Sequence, residues 1–211
     1  MKKTLIMLAS LAAFAGIASA SVTYTVAGAY TSGGSGQLLT ASGSGDTFTL
    51  VWSITAGAAN NTVFTFPSNE NFGEFTLSCT VLCDGADVTI PAFTFVITID
   101  DTTDGGIGIF TGSSAGGIVT DNGTAGSSNV SVSWSPLQIG PGTNNLTGGT
   151  TFGPTFFTIG NPTPIVDPTT DAGIQTISGV VGSTATPEPA TFGLMGAALV
   201  GLGFFARKRK S

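Results

Sequence analysis

Residues 21–186 lack the side chains on which most enzyme chemistry depends. All six Lys and Arg lie near the two chain ends, and the sequence has no His. This composition excludes a Ser-His-Asp or Cys-His nucleophile, a His-ligated zinc site, a lysine Schiff base and a P-loop. Carboxylates, hydroxyls, two Tyr and two Cys remain. We therefore predict that this region is not an enzyme and carries no cofactor, apart from a calcium ion considered below.

The charge of the same region restricts its partners. Every acid except Glu188 falls in it, which gives 11 carboxylates and a side-chain charge of −11. Because nucleic-acid binding depends on cations that neutralise phosphates, we predict no nucleic-acid partner.

Cys79 and Cys83 are the two cysteines of the chain. On one straight strand their Cα atoms would lie about 13 Å apart at ~3.3 Å per residue, whereas a disulfide tolerates only roughly 7 Å. We predict a structural disulfide, which requires residues 80–82 to turn or bulge. A redox or metal role would call for a nearby cation or a second ligand pair, and the sequence offers neither.

The acidic run at residues 100–105 has part of the spacing of an EF-hand loop. Asp100, Thr102 and Asp104 match the first, third and fifth positions, but Thr111 stands where a bidentate Glu is expected. Because the flanking segments have strand patterns and Asp and Gly often build turns, a strand-linking turn is favoured. Calcium bound by Asp100, Thr102 and Asp104 is the alternative.

Glu70 and Glu74 are the two glutamates of the region, and a glycosidase needs two carboxyls roughly 5–10 Å apart across a cleft. Nothing in the sequence places them so, and a solvated turn is the preferred interpretation. Sugar stacking would call for exposed Trp or Tyr. Trp52, Trp134 and Tyr24 each alternate with other apolar residues and are predicted to be buried, which leaves Tyr30.

The region has the period-2 alternation of half-buried strands. Phe48, Leu50, Trp52 and Ile54 share one face of a strand, and a second inward stripe consists of Phe93, Phe95, Ile97 and Ile99. The candidate strands are residues 22–26, 47–55, 62–66, 72–82, 87–99, 107–111, 129–135, 151–159 and 173–181. We predict an all-β fold, a single antiparallel β-sandwich of eight to ten strands, jelly-roll-like in size.

The N-terminal segment is typical of a signal peptide. Lys2 and Lys3 precede an apolar run over residues 5–17, and Ala18 and Ala20 supply the small residues that a signal peptidase reads. Cleavage after Ala20 would leave Ser21 as the first residue.

The C-terminal segment is typical of a membrane span. Residues 190–206 are 17 uncharged, mostly apolar residues, which reach about 26 Å as a helix and so approach the thickness of a bilayer core. The basic stop that follows holds that end on the cytoplasmic side; it consists of Arg207, Lys208, Arg209 and Lys210.

Pro187, Glu188 and Pro189 stand directly before this apolar run. Motif, span and basic stop in this order resemble the PEP-CTERM sorting signal of Gram-negative bacteria, over about residues 186–211. The resemblance implies recognition by an exosortase, an integral-membrane Cys transpeptidase thought to cut near the motif and pass the protein to the envelope or matrix. A single-span anchor that is never cut is the alternative.

These patterns predict a signal peptide at 1–20, an acidic β-sandwich domain at 21–181, a linker at 182–186 and the sorting signal at 187–211. We expect an exported protein, first anchored in the inner membrane by a C-terminal transmembrane helix and then located in the cell envelope, at the surface or in the biofilm matrix. A non-catalytic structural role is the first hypothesis, and a polysaccharide-binding surface module, in one version calcium-dependent, is the alternative. The expected partners are signal peptidase and exosortase during processing, the membrane and, in the alternative, exopolysaccharide.

Overall fold

Strands form in this protein where apolar and polar residues alternate. The computed structural model describes residues 21–54, 61–63, 66–103, 105–122, 125–141, 153–167 and 173–184, together with residues 196 and 198. Between residues 21 and 184 the elements are β1 Val22–Ser32, β2 Leu38–Gly43, β3 Asp46–Ser53, β4 Asn61–Val63, β5 Ser68–Val81, β6 Val88–Ile90, β7 Phe93–Asp101, β8 Gly106–Ser114, β9 Gly117–Asp121, β10 Gly126–Ser128, β11 Ser131–Ser135, β12 Gln138–Ile139, β13 Thr155–Ile159, β14 Thr163–Pro164 and β15 Ile174–Ser183.

The strands form two six-stranded sheets and one small sheet, all antiparallel. The first large sheet has the order β14-β11-β8-β7-β1-β4, and the second has the order β12-β13-β15-β5-β3-β2. The small sheet is β10-β9-β6. The predicted all-β antiparallel fold is confirmed. The expected eight to ten strands are too few, because several strands of two or three residues are too short to show a periodic pattern.

The hydrophobic core lies between the two large sheets. Tyr24 of the first sheet meets Phe157 of the second with ring centroids 5.2 Å apart, and Trp52 meets Phe95 at 5.7 Å. Both predicted stripes face this core, with Ile54 at its margin, partly buried. Full burial of a single Phe side chain stabilises the fold by about 1.5–3 kcal/mol.

The small sheet continues three strands of the first large sheet after a sharp bend. Phe93 of β7 pairs with Ser114 of β8, and beyond the bend Ile90 of β6 pairs with Gly117 of β9. Gly116 has a φ of +79°, and a Cβ there would collide with the Ile90 carbonyl. The predicted strand at 87–99 is therefore two strands. The bend brings β6 against β2 of the other large sheet.

A bulge in β5 reverses which side chains face the core. Thr176 of β15 pairs with Glu74, whereas Ser178 pairs with Asn71, so β5 has one extra residue at this point. Gly73 makes this possible because its φ is +117° and a Cβ there would lie 2.5 Å from Nε1 of the buried Trp52 indole. Residues before Gly73 therefore face the core at even positions, and residues after it at odd positions.

Ala20–Thr184 forms one compact unit. β15 ends at Ser183, two residues inside the predicted 182–186 linker. Beyond residue 184 only Gly196 and Ala198 are described, both in helical conformation. No helix among the described residues is long and apolar enough to cross a membrane. The predicted signal helix, and the rest of the predicted 190–206 helix, lie outside the described residues.

Candidate functional site

The carboxylate of Glu70 joins three strands at one end of the core. Its Oε1 accepts a hydrogen bond from Ser68 Oγ at 2.6 Å. Its Oε2 accepts from the Tyr24 hydroxyl of β1 at 3.2 Å and from the Asn61 side-chain amide of β4. The amide also donates to the Tyr24 hydroxyl, at 3.1 Å. Neutral donors thus solvate a carboxylate that has no Lys, Arg or His near it in the sequence.

The two tyrosines are hydrogen-bond donors and not bases. Burial raises the pKa of Tyr24 well above its usual value; the bond from Asn61 opposes this shift, and the Glu70 carboxylate adds to it. Burial likewise raises the pKa of Tyr30, whose hydroxyl donates to the Leu50 carbonyl at 3.2 Å. Both phenols stay protonated at physiological pH, so neither offers an exposed base for catalysis.

Glu70 and Glu74 project to opposite faces of their sheet because of the Gly73 bulge. Glu70 contacts the buried Tyr24, whereas Oε1 of Glu74 accepts from Ser53 Oγ on the outer face at 3.2 Å. The solvated-turn interpretation is wrong, since both lie within β5 and both have partners. Their divergence supports the view that they are not a facing glycosidase pair.

The opposite end of the domain carries the cysteine loop. Cys79 and Cys83 are joined in a disulfide, with Cα atoms 5.9 Å apart. The turn that this separation requires is made at Leu82 and Cys83, whose φ values are +58° and +57°. The Cys83 amide donates to the Val81 carbonyl at 2.9 Å and to Asp46 Oδ1 at 3.1 Å.

Two carboxylates flank this loop. Asp46 at the start of β3 is fully buried, and its Oδ2 has no hydrogen-bond partner among the described residues. The Asp121 carboxylate lies within 4.8 Å of both sulfurs. Because the sulfurs are bonded to each other, these groups do not form a metal-ligand set. The sequence did indicate that Asp46 is buried, because it lies two residues before the inward-facing Phe48 and therefore on the same face of the strand.

The acidic run at residues 100–105 links β7 to β8. Asp100 and the buried Asp101 end β7, and successive side chains on a strand project to opposite faces. The Thr102 hydroxyl donates to the Thr23 carbonyl at 2.8 Å, which ties the turn to β1. Asp104 lies outside the described residues, so calcium at Asp100, Thr102 and Asp104 stays a prediction.

All four Trp and Tyr side chains of the chain are buried. The core positions predicted for Trp52, Trp134 and Tyr24 are confirmed, and the indole of Trp134 donates to Thr163 Oγ1 at 2.9 Å. Tyr30, which the sequence left without an assigned position, is only 6 % exposed. None of these rings offers an open stacking face.

The residues predicted for processing lie almost entirely outside the described residues. Ser21 is exposed and directly precedes β1. The other predicted processing residues lie outside the described residues. They are Ala18 and Ala20 of the signal cleavage site, Pro187, Glu188 and Pro189 of the motif, and Arg207, Lys208, Arg209 and Lys210 of the basic stop.

Comparison with known proteins identifies the tail. Residues 185–210 match the family model of the PEP-CTERM protein-sorting motif, which confirms the predicted resemblance over this segment. No curated protein matches the chain. No solved structure matches it either. The motif indicates an exported protein that is sorted at the membrane by an exosortase.

Proposed function

We propose that this protein is a non-catalytic structural component of the cell surface or extracellular matrix, delivered by an exosortase. The observation that carries the proposal is the sorting motif at residues 185–210. It follows a β domain whose sequence contains no Lys, Arg or His between residues 21 and 186. A protein of this kind needs a stable exported fold and a route to the surface, and no chemistry.

The domain interior supports a structural role. Its two glutamates diverge, its tyrosines are buried donors, and its cysteines are bonded to each other. Polysaccharide binding gains no support from Trp or Tyr, because all four rings are buried. We therefore place the structural role first.

The proposed route has two cuts. Signal peptidase removes residues 1–20, and the apolar segment at 190–206 holds the precursor in the membrane until an exosortase reads the motif. The basic stop fixes orientation, because returning four charges through the hydrocarbon core costs several kcal/mol or more. The mature chain then lacks every Lys and Arg of the precursor.

Intact-mass analysis of the envelope and matrix fractions of the native host tests this route. The expected mature form lacks Met1–Ala20 and the segment beyond the motif. Replacement of Pro187, Glu188 and Pro189 by Ala should trap the precursor in the membrane, whereas a matched triple replacement at Thr184, Thr186 and Thr191 should not. Recovery of the surface form with its C-terminus at Ser211 would contradict cleavage and indicate a permanent anchor.

A further inference from the structure

Three side chains that can bind a metal ion converge at the cysteine loop. The sulfurs of Cys79 and Cys83 and a carboxylate oxygen of Asp121 all lie within 4.8 Å of one another. Among the residues that the structure describes, they are the one set of three such ligands that comes this close together. In the oxidised protein the disulfide occupies both sulfurs. A metal ion can therefore bind all three groups only after the disulfide has been reduced.

Backbone contacts hold both cysteines in addition to the disulfide. Cys79 lies within β5 and pairs with Phe48 of β3. The Cys83 amide donates to the Val81 carbonyl at 2.9 Å and to Asp46 Oδ1 at 3.1 Å. Because neither position depends on the bond between the sulfurs alone, we expect the two sulfurs to stay neighbours after reduction.

The third ligand comes from a different part of the chain. Asp121 ends β9 and pairs with Gly126 of β10, so its backbone is also fixed by a strand ladder. Its side chain is 7 % exposed, and this burial keeps the carboxylate against the loop. The spacing of the two cysteines in the sequence could not indicate this ligand, because the fold alone brings β9 to them.

The spacing of these groups suits a tetrahedral ion. Zinc binds thiolate sulfur at about 2.3 Å and carboxylate oxygen at about 2.0–2.2 Å, which puts neighbouring ligand atoms roughly 3.5–3.8 Å apart. The Cα atoms of Cys79 and Cys83 are 5.9 Å apart, so side-chain rotation can open the sulfurs to this distance while the backbone keeps its place. A water molecule completes the four ligands, as at other zinc sites with three protein ligands.

The charges around the loop favour a cation once the sulfurs are free. Asp46 is fully buried beside Cys83, and its Oδ2 has no hydrogen-bond partner among the described residues. Residues 21–186 contain no Lys, Arg or His, so no side chain of the domain can balance the carboxylates of Asp46 and Asp121. A divalent ion supplies this positive charge, and soft thiolate ligands select zinc over calcium or magnesium.

We propose that reduction of the Cys79–Cys83 disulfide turns the cysteine loop into a zinc site with Cys79, Cys83 and Asp121 as ligands. A dithiol reductant supplies two electrons and two protons; the bond between the sulfurs breaks into two thiols while the reductant closes its own disulfide. Zn²⁺ then replaces the two thiol protons, which pass to the solvent. The disulfide and the ion exclude each other, because both use the same two sulfurs. This redox-dependent metal binding goes beyond the structural role proposed above and does not depend on it.

Cobalt(II) titration of the protein purified from its native host tests the site, because cobalt bound by thiolates absorbs strongly in the near ultraviolet. The reductant is a phosphine, which leaves as the phosphine oxide and, unlike a dithiol, offers no thiolate that competes for the metal. After reduction we expect thiolate-to-cobalt absorption that saturates at one ion per chain. The unreduced protein should show none, and Zn²⁺ should displace the cobalt and abolish the absorption.

Replacement of Asp121 by Asn tests the third ligand. Asp121→Asn should weaken cobalt binding at least about tenfold, since even the hydrogen-bond partners of metal ligands are worth about 10–100-fold in affinity. Asp84→Asn is the matched control: it removes the same charge from an exposed residue beside the loop and keeps an oxygen to accept from the Ala86 amide. Its cobalt affinity should stay within about threefold of the parent's, below the loss that even an indirect partner of the metal causes.

The reduced parent decides the proposal even if Asp121→Asn does not fold. Absence of thiolate-to-cobalt absorption overturns the proposal, and so does saturation at one ion per two chains. Equal weakening by the two Asn variants removes Asp121 from the ligand set and overturns it as well. Near-ultraviolet circular dichroism of the reduced, metal-free protein should keep the signal of the buried Trp52 and Trp134. Loss of that signal means that reduction unfolds the domain, which refutes a site formed by the fold.

Discussion

Replacement of Gly73 by Ala tests the bulge that sets the direction of every side chain in β5. The new Cβ would lie 2.5, 2.7 and 2.8 Å from Nε1, Cε2 and Cζ2 of Trp52, an indole with no exposed surface. Forcing extra volume into such a core costs about 1–3 kcal/mol. The φ of +117° adds roughly 1–3 kcal/mol of backbone strain for a residue with a Cβ. We expect a total loss of about 2–6 kcal/mol in the free energy of unfolding, a large part of the ~5–15 kcal/mol of a typical domain.

Gly36→Ala is the matched control for this change. Gly36 also has a positive φ, +58°, but a Cβ there meets nothing within 4 Å. Only the conformational cost remains, about 1 kcal/mol. Urea unfolding of the domain, followed by Trp fluorescence, measures both variants against the parent. Losses that agree within about 0.5 kcal/mol, the usual additivity error, would refute the contact between Gly73 and Trp52 as the reason for the bulge.

Three further predictions concern titratable and sulfur groups. Because burial raises the pKa of Tyr24 and Tyr30, their protonated forms stabilise the fold fully below about pH 10, the pKa of an unfolded Tyr, and this contribution falls as pH rises further. Near-UV titration should show tyrosinate only as the domain unfolds, and tyrosinate formed in the folded domain would contradict the burial of both hydroxyls. Thiol titration of unreduced, denatured protein should find no free thiol, and Cys79→Ala/Cys83→Ala should cost about 2 kcal/mol from loop entropy. As pH falls towards about 4, the usual range of Asp and Glu pKa values, or in millimolar calcium, repulsion among the 11 acids should weaken and light scattering should rise; flat titrations would refute charge repulsion as the cause of solubility.

Simple alternation was enough to predict the long strands of the core. Phe48, Leu50 and Trp52 repeat every second residue, and the structure buries all three completely. The same pattern could not locate β2, whose sequence Leu-Leu-Thr-Ala-Ser-Gly has no clear alternation. The prediction also missed the division between β6 and β7, although Pro91 interrupts the run and the buried positions change from even at Val88 and Ile90 to odd from Phe93 onward.

The contacts made at the candidate sites could not be predicted from the residue pattern of a single strand. A strict period of two puts Glu74 on the same face as Phe72, and only the three-residue step from Phe72 to Phe75 signals the bulge that separates them. The bonds from Tyr24 and Asn61 to Glu70 cross 46 and 9 residues of sequence, so no local pattern reports them. The disulfide was predictable because Cys79 and Cys83 are the only two cysteines of the sequence, so each has one possible disulfide partner within the chain.

The register of β15 determines how the domain responds to a pull from its tail. Tyr24 near the start of β1 contacts Glu70 near the start of β5, and Val181 near the end of β15 pairs with Ser68, so the chain enters and leaves the domain at one end. β15 lies between β13 and β5, with hydrogen bonds along both sides. Because these bonds run across the strands, tension along β15 acts on them together and not one after another. A domain held at the surface by this strand would resist mechanical extraction, while its disulfide end points away from the attachment point.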